Sequence, residues 1–205
     1  MIQKKIRERE KQRSKVILGL VIAIILMAST ISYVWLEREA TGEKGIAYKD
    51  YVFFKTEESW QTVLKIKNQE VVLKTFNLPQ DVENVSVQGS PILANFFDKT
   101  IFIVLNNGTI FEKKAAMQYN IFSRFALRMQ LACSRENENS TFCIENNLPV
   151  KDCDDSNLQT TVIILKEYEG TAEVNYKNFC LEVKGNKEGL LKANDKALYV
   201  IFGIM

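Results

Sequence analysis

Three hydrophobic regimes follow one another along the chain. Residues 16–36 form a run of 21 positions without a charge. At about 1.5 Å per helical residue such a run spans roughly 30 Å, the thickness of a bilayer's hydrocarbon core, and it reads as a transmembrane helix. Residues 37–47 are polar, carry Gly42 and Gly45, and read as a tether. From residue 48 onward, alternating and helical periodicities succeed each other as in a folded domain.

Residues 48–55 and 60–67 are rich in aromatic and β-branched side chains, and Asn68-Gln69 separates the latter from 70–76 as a hairpin turn would, so three strands are expected. Pro79 and Gly89-Ser90-Pro91 punctuate the next stretch, with a short strand over 82–87 between them. Residues 101–105 form a continuous apolar strand. Asn106-Asn107-Gly108 then turns the chain toward Thr109-Ile110-Phe111-Glu112, which has capping-box form. From there Ala115, Tyr119, Phe122, Ala126, Met129 and Cys133 recur at helical spacings. The spacing predicts one helix over 109–133, with Ile121 and Phe125 widening its apolar face and Lys113, Lys114, Gln118, Arg124 and Arg128 in water.

Residues 134–141 read as a polar loop and 160–167, 172–176 and 179–184 as strands. A final helix carries Leu190, Ala193, Ala197, Val200 and Ile201 on one side, and the apolar end Phe202-Gly203-Ile204-Met205 is expected to dock on the core or on a partner. The order implies an α+β fold: a two-layer domain over 48–205 with about six to seven strands and two helices on one sheet face.

Charge gives this plan an orientation. The first 15 residues hold seven Lys or Arg and two acids, a surplus of five; with a chain total of +2 and an uncharged span, the remainder carries −3. The basic tail (1–15) is expected to stay cytoplasmic and suits anionic lipid headgroups, with the domain extracytoplasmic. Tyr33 and Trp35 at the far end of the run fit the headgroup region. The expected localisation is therefore the cell membrane, as a single-pass signal-anchor protein. The alternative is a cleaved signal peptide, but the run is too long for one and Ala28-Ser29-Thr30 is a poor cleavage site. Gly19 with Ala23, and Ala28 with Ser32, are small residues four apart that permit helix pairing within the membrane, hence a homo-oligomer.

Four cysteines, Cys133, Cys143, Cys153 and Cys180, all lie in the outward part, and an even number on the oxidising side implies two disulfides. Of three connectivities, Cys133 with Cys143 and Cys153 with Cys180 is preferred, since the first pair clips a polar loop and the second ties a loop to a strand. The separations of 10, 10 and 27 residues lack the close pairs of a zinc site or a thioredoxin-like motif.

Histidine is absent. That excludes Ser-His-Asp and Cys-His catalysis and any histidine-ligated metal. The 9 glycines form no phosphate loop, dinucleotide fingerprint or nucleophile elbow. The acidic stretch Asp152-Cys153-Asp154-Asp155-Ser156-Asn157 starts like a calcium loop, but its sixth position is Asn157 rather than glycine and its twelfth is Ile163 rather than glutamate, so it reads as a solvated loop. No catalytic residue, cofactor or metal is assigned, and a domain of charge −3 is not expected to bind nucleic acid.

Leu148-Pro149-Val150-Lys151-Asp152-Cys153 and the stretch from Leu190 to Tyr199 resemble the C-terminal parts of small single-pass membrane-anchored archaeal proteins of unassigned function. That resemblance implies no activity. The expected function is a non-enzymatic interaction or assembly domain of the cell envelope with an envelope or membrane protein partner. Two alternatives remain. A pilin-like surface filament subunit lacks support from an acid after Gly19, and a histidine-free envelope enzyme would use carboxylates or lysine.

Overall fold

The computed structural model describes residues 45–205; the expected tail, the span and the tether as far as residue 44 lie outside them. Among the described residues no helix is long and apolar enough to cross a membrane. The domain is α+β, with ten strands in two sheets and three α-helices, more elements than the sequence pattern shows.

The first four strands, β1 (Ile46–Tyr48), β2 (Tyr51–Lys55), β3 (Trp60–Ile66) and β4 (Gln69–Thr75), pair in chain order as an antiparallel meander. Strand β1 takes the last positions assigned to the tether. Its turn at Lys49 (φ 49°) divides what reads as one strand over 48–55. The hairpin between β3 and β4 turns at Lys67-Asn68, both at positive φ, one residue before the expected Asn68-Gln69. That geometry is the left-handed two-residue turn that matches strand twist. Alternation is clean: Thr62, Leu64, Ile66, Val71 and Leu73 are buried, while Val63, Lys65, Val72 and Lys74 face water.

The other six strands are β5 (Ser86–Gln88), β6 (Thr100–Leu105), β7 (Arg128–Cys133), β8 (Thr160–Glu167), β9 (Glu173–Lys177) and β10 (Cys180–Gly185), in the order β5-β9-β10-β8-β6-β7. Strands β7, β6, β8 and β10 run parallel, and β9 is antiparallel to β10. The expected strand over 82–87 is instead a 3-10 turn at Pro79–Val82 followed by the short β5.

Helix α1 (Ile110–Gln118) is the largest correction. The expected helix over 109–133 ends at Gln118, continues as a 3-10 segment over Tyr119–Arg124, and gives way to strand β7. Met129 and Cys133 satisfy a period of two as well as they satisfy 3.6, and this is why a single helix fitted. Gln118, expected in water, is buried. The loop over 134–141 contains a 3-10 turn at Arg135–Asn137 and leads into the short helix α2 (Thr141–Glu145). Helix α3 (Lys187–Ile201) carries the expected apolar face, and Ile204 beyond it is fully buried.

Helices α1 and α3 are held between the two sheets, so the expected two layers become three. Ile101, Ile103, Leu105, Ile163, Leu165, Leu181 and Val183 from the six-stranded sheet share one core with Phe53, Leu64, Val71 and Leu73 from the meander. Phe122 stacks on Phe96 (4.8 Å), Tyr119 (5.9 Å) and Phe202 (5.5 Å) within it.

A buried polar network joins the layers. Asp195 on α3 accepts hydrogen bonds from the Asn77 backbone N–H (2.7 Å), Asn77 Nδ2 (2.8 Å), the Phe76 N–H (3.0 Å) and Gln118 Nε2 (2.6 Å). Asn194 Nδ2 donates to Gln118 Oε1 (2.6 Å), and the Tyr199 hydroxyl bonds Thr75 Oγ1 and donates to the Asn77 carbonyl. Burial pushes the Asp195 carboxyl up to about 6, while its hydrogen-bond donors, Gln118 first, pull the other way.

Candidate functional site

Both disulfides have the expected partners, Cys133–Cys143 and Cys153–Cys180, and no cysteine among the described residues is free. The first joins the end of β7 to α2. The second joins the 3-10 turn Cys153–Asp155 to the start of β10. They therefore hold the β7-to-β8 connection across the sheet face that carries no long helix, where Val104, Ala132, Val162 and Ile164 form a small second core.

Ligands of open parallel sheets bind in the crevice beyond the carboxyl ends of the strands, often on the amides at a helix N-terminus. Here that position is filled from within. Glu112, fully buried, accepts the N–H groups of Asn107 (2.9 Å), Gly108 (2.7 Å) and Thr109 (3.3 Å) on Oε2 and that of Glu167 (3.1 Å) on Oε1. The expected capping box is present, with Thr109 Oγ1 accepting from the Glu112 N–H, and its carboxylate also reaches the end of β8. Gly108 is required at φ 65°, and a Cβ there would lie 2.5 Å from the Phe142 ring. A crevice of about 530 Å³ remains outside, with Glu167, Glu169 and Glu188 against Lys187. Its amide donors are spent on Glu112, so it offers a phosphate or carboxylate ligand little.

On the second face a groove of about 480 Å³ runs past Arg135, Asp152, Lys166, Glu182 and Lys184. The acidic stretch expected as a solvated loop forms its wall as a 3-10 turn. Arg135 Nε lies 2.9 Å from Asp152 Oδ2 and Lys151 Nζ 2.9 Å from Asp155 Oδ1. The Lys151 hydrogen bond, foremost, holds the Asp155 carboxyl below its ordinary value. Asp152 also accepts the Asp154 N–H and Asp155 the Asp152 N–H, so these oxygens are engaged by the protein itself. Among the described residues no group of three or more Asp, Glu, Cys or His is placed to hold a metal ion.

The apolar surface lies at the opposite edge. Between α1 and β7 is a groove of about 520 Å³, floored by Ile103, Leu105, Ala116 and Met129 and flanked by Met117 and Leu131. Met117 is 68% exposed and Leu131 41%; Leu127 and Ile110 add exposed apolar area nearby. Lys113 is the one charged residue of the lining.

Strand β7 is also the edge of the sheet. Its last residue is covered: the Cys133 N–H donates to the Pro149 carbonyl and its carbonyl accepts the Lys151 N–H. Because backbone groups alternate in direction along a strand, those of Met129 and Leu131 point outward too, and no strand among the described residues pairs with them. The side chains of both residues face the groove.

The sequence pattern missed this edge because β7 was absorbed into the helix. The usable signal was the alternation Arg128-Met129-Gln130-Leu131, with polar and apolar residues in turn. No known protein family, curated protein or solved structure matches the chain.

Proposed function

We propose that this is a single-pass membrane-anchored protein whose domain faces the extracytoplasmic side and docks a partner of the cell envelope without catalysing a reaction. The uncharged run over 16–36 behind a basic tail supports the anchor and its orientation, and two disulfides suit an oxidising compartment. The observation that carries the docking role is the open β7 edge beside an apolar groove. Native sheets normally blunt such edges, and exposed apolar patches mark interaction sites.

The experiment has two arms. Protease added to right-side-out vesicles should digest the domain and spare the tail; a fully protected domain overturns the orientation. Gentle solubilisation of native membranes should recover the chain in a complex larger than itself, whereas a lone monomer overturns the docking role.

A further inference from the structure

We infer that the β7 edge receives an extended segment of acidic and apolar residues from a partner protein, which adds as a seventh strand to the six-stranded sheet; this rests on the docking role just proposed. Strand addition needs unpaired backbone groups in line and a pocket for alternate side chains. Met129 and Leu131 supply the first, and the groove bounded by Met117 and Leu131 supplies the second.

Charge selects the partner. Lys113 lines the groove, while Arg128 at the start of the strand and Arg124 before it are exposed. No Asp or Glu lines the groove, and Glu112, one residue from Lys113, is buried in its own hydrogen bonds. Side chains alternate across the sheet, so the positions of an incoming strand that do not enter the groove lie on the face of Arg128, whose exposed guanidinium favours acids there.

A second copy fits less well. Val150 already lies beside Cys133, leaving residues 128–132 open. An antiparallel copy centred on Gln130 would set its Leu127 where Val150 stands. Moving the axis to Met129 makes the two Arg128 side chains diagonal neighbours, an unfavourable pairing of like charges. A flexible segment can turn away before Val150.

The test uses the full chain in lipid nanodiscs and two labelled heptapeptides, one alternating Asp and Val, the other Lys and Val, followed by fluorescence anisotropy. The acidic peptide should bind, lose about tenfold or more in affinity at high salt, and protect the Met129 and Leu131 amides from hydrogen exchange. Arg128→Glu should reverse the preference. Leu131→Pro removes an outward N–H without touching the β6 ladder, so it should abolish binding with the fold intact.

Failure of the acidic peptide to bind, or equal binding to Leu131→Pro, overturns the proposal. A concentration-dependent dimer that Leu131→Pro dissolves overturns it in favour of a second copy. A native-membrane complex that persists in Leu131→Pro removes the edge and leaves the docking role standing, whereas a chain that migrates alone sinks the docking role itself.

Discussion

In the meander each strand pairs with its neighbour in sequence, through short turns such as Lys67-Asn68. In the six-stranded sheet β6 pairs with β8 some 60 residues on (Thr100 with Thr160), and β5 with β9 across a still longer stretch. Both disulfides belong to the second sheet and none to the first. Cross-links sit where closure is costly: local hairpins cost little closure entropy, whereas the long β7-to-β8 connection crosses a face without a long helix and is pinned at two interior points, Cys143 and Cys153.

The two sheets are expected to fold as one unit. Phe122 lies in the core they share, and Phe122→Ala is expected to cost about 3–5 kcal/mol and abolish both sheets in a single thermal transition. A meander that keeps its hydrogen-exchange protection in that variant would show that it stands alone.

Removing the cross-links sharpens the same contrast. Loss of Cys153–Cys180, which closes 27 residues, is expected to cost about 3.5 kcal/mol, and loss of Cys133–Cys143, which closes 10, about 2.7. Paired serine variants measured by denaturant unfolding should follow that order, with local exchange rising around β7 and β10 before the meander.

Asp195 links the sheets through charge. Its folded-state pKa, about 6, lies above the ordinary 3.8, so the folded protein holds the proton more readily. Its contribution is full below about pH 4 and is lost as pH rises through about 6, an effect on the order of 2–3 kcal/mol. Unfolding free energies between pH 4 and 7 should show this decline in the parent and a flatter profile in Asp195→Asn. The smallest effect is expected at Arg124→Ala, exposed beside Phe122, at less than about 0.5 kcal/mol in the same melts.

The meander was the legible half. Leu64, Ile66, Val71 and Leu73 alternate with polar or exposed positions because one face is buried and the other is wet. Strand β8 is legible with its full bounds from its Thr, Val, Ile and Leu content, and the structure buries residues 161–165 on both faces; the α3 face and the cysteine pairing are also legible. Strand β7 was not, since its apolar residues satisfy two periods at once and only tertiary pairing with β6 decides between them. The roles of Asn194, Asp195 and Gln118 were hidden for a related reason. A polar residue on a helix reads as solvated until its partners are in place, and these are distant in sequence: Phe76 and Asn77 for Asp195, Gln118 for Asn194, and the Lys74 carbonyl for Gln118. The open edge was illegible as long as β7 was.

The contacts of Asp195 and Tyr199 with residues 75–77 set an order of events during biosynthesis. The meander is made early, but the side it turns to the core, with Phe53 against Tyr199 at 5.7 Å, lacks the cover of α3 until that helix has left the ribosome. For most of translation this half-built chain presents a sticky apolar sheet, a natural client for chaperones. Stalling synthesis just before Lys187 should therefore yield a chaperone-bound, protease-sensitive nascent chain, and stalling it once residue 205 has cleared the exit tunnel a resistant one.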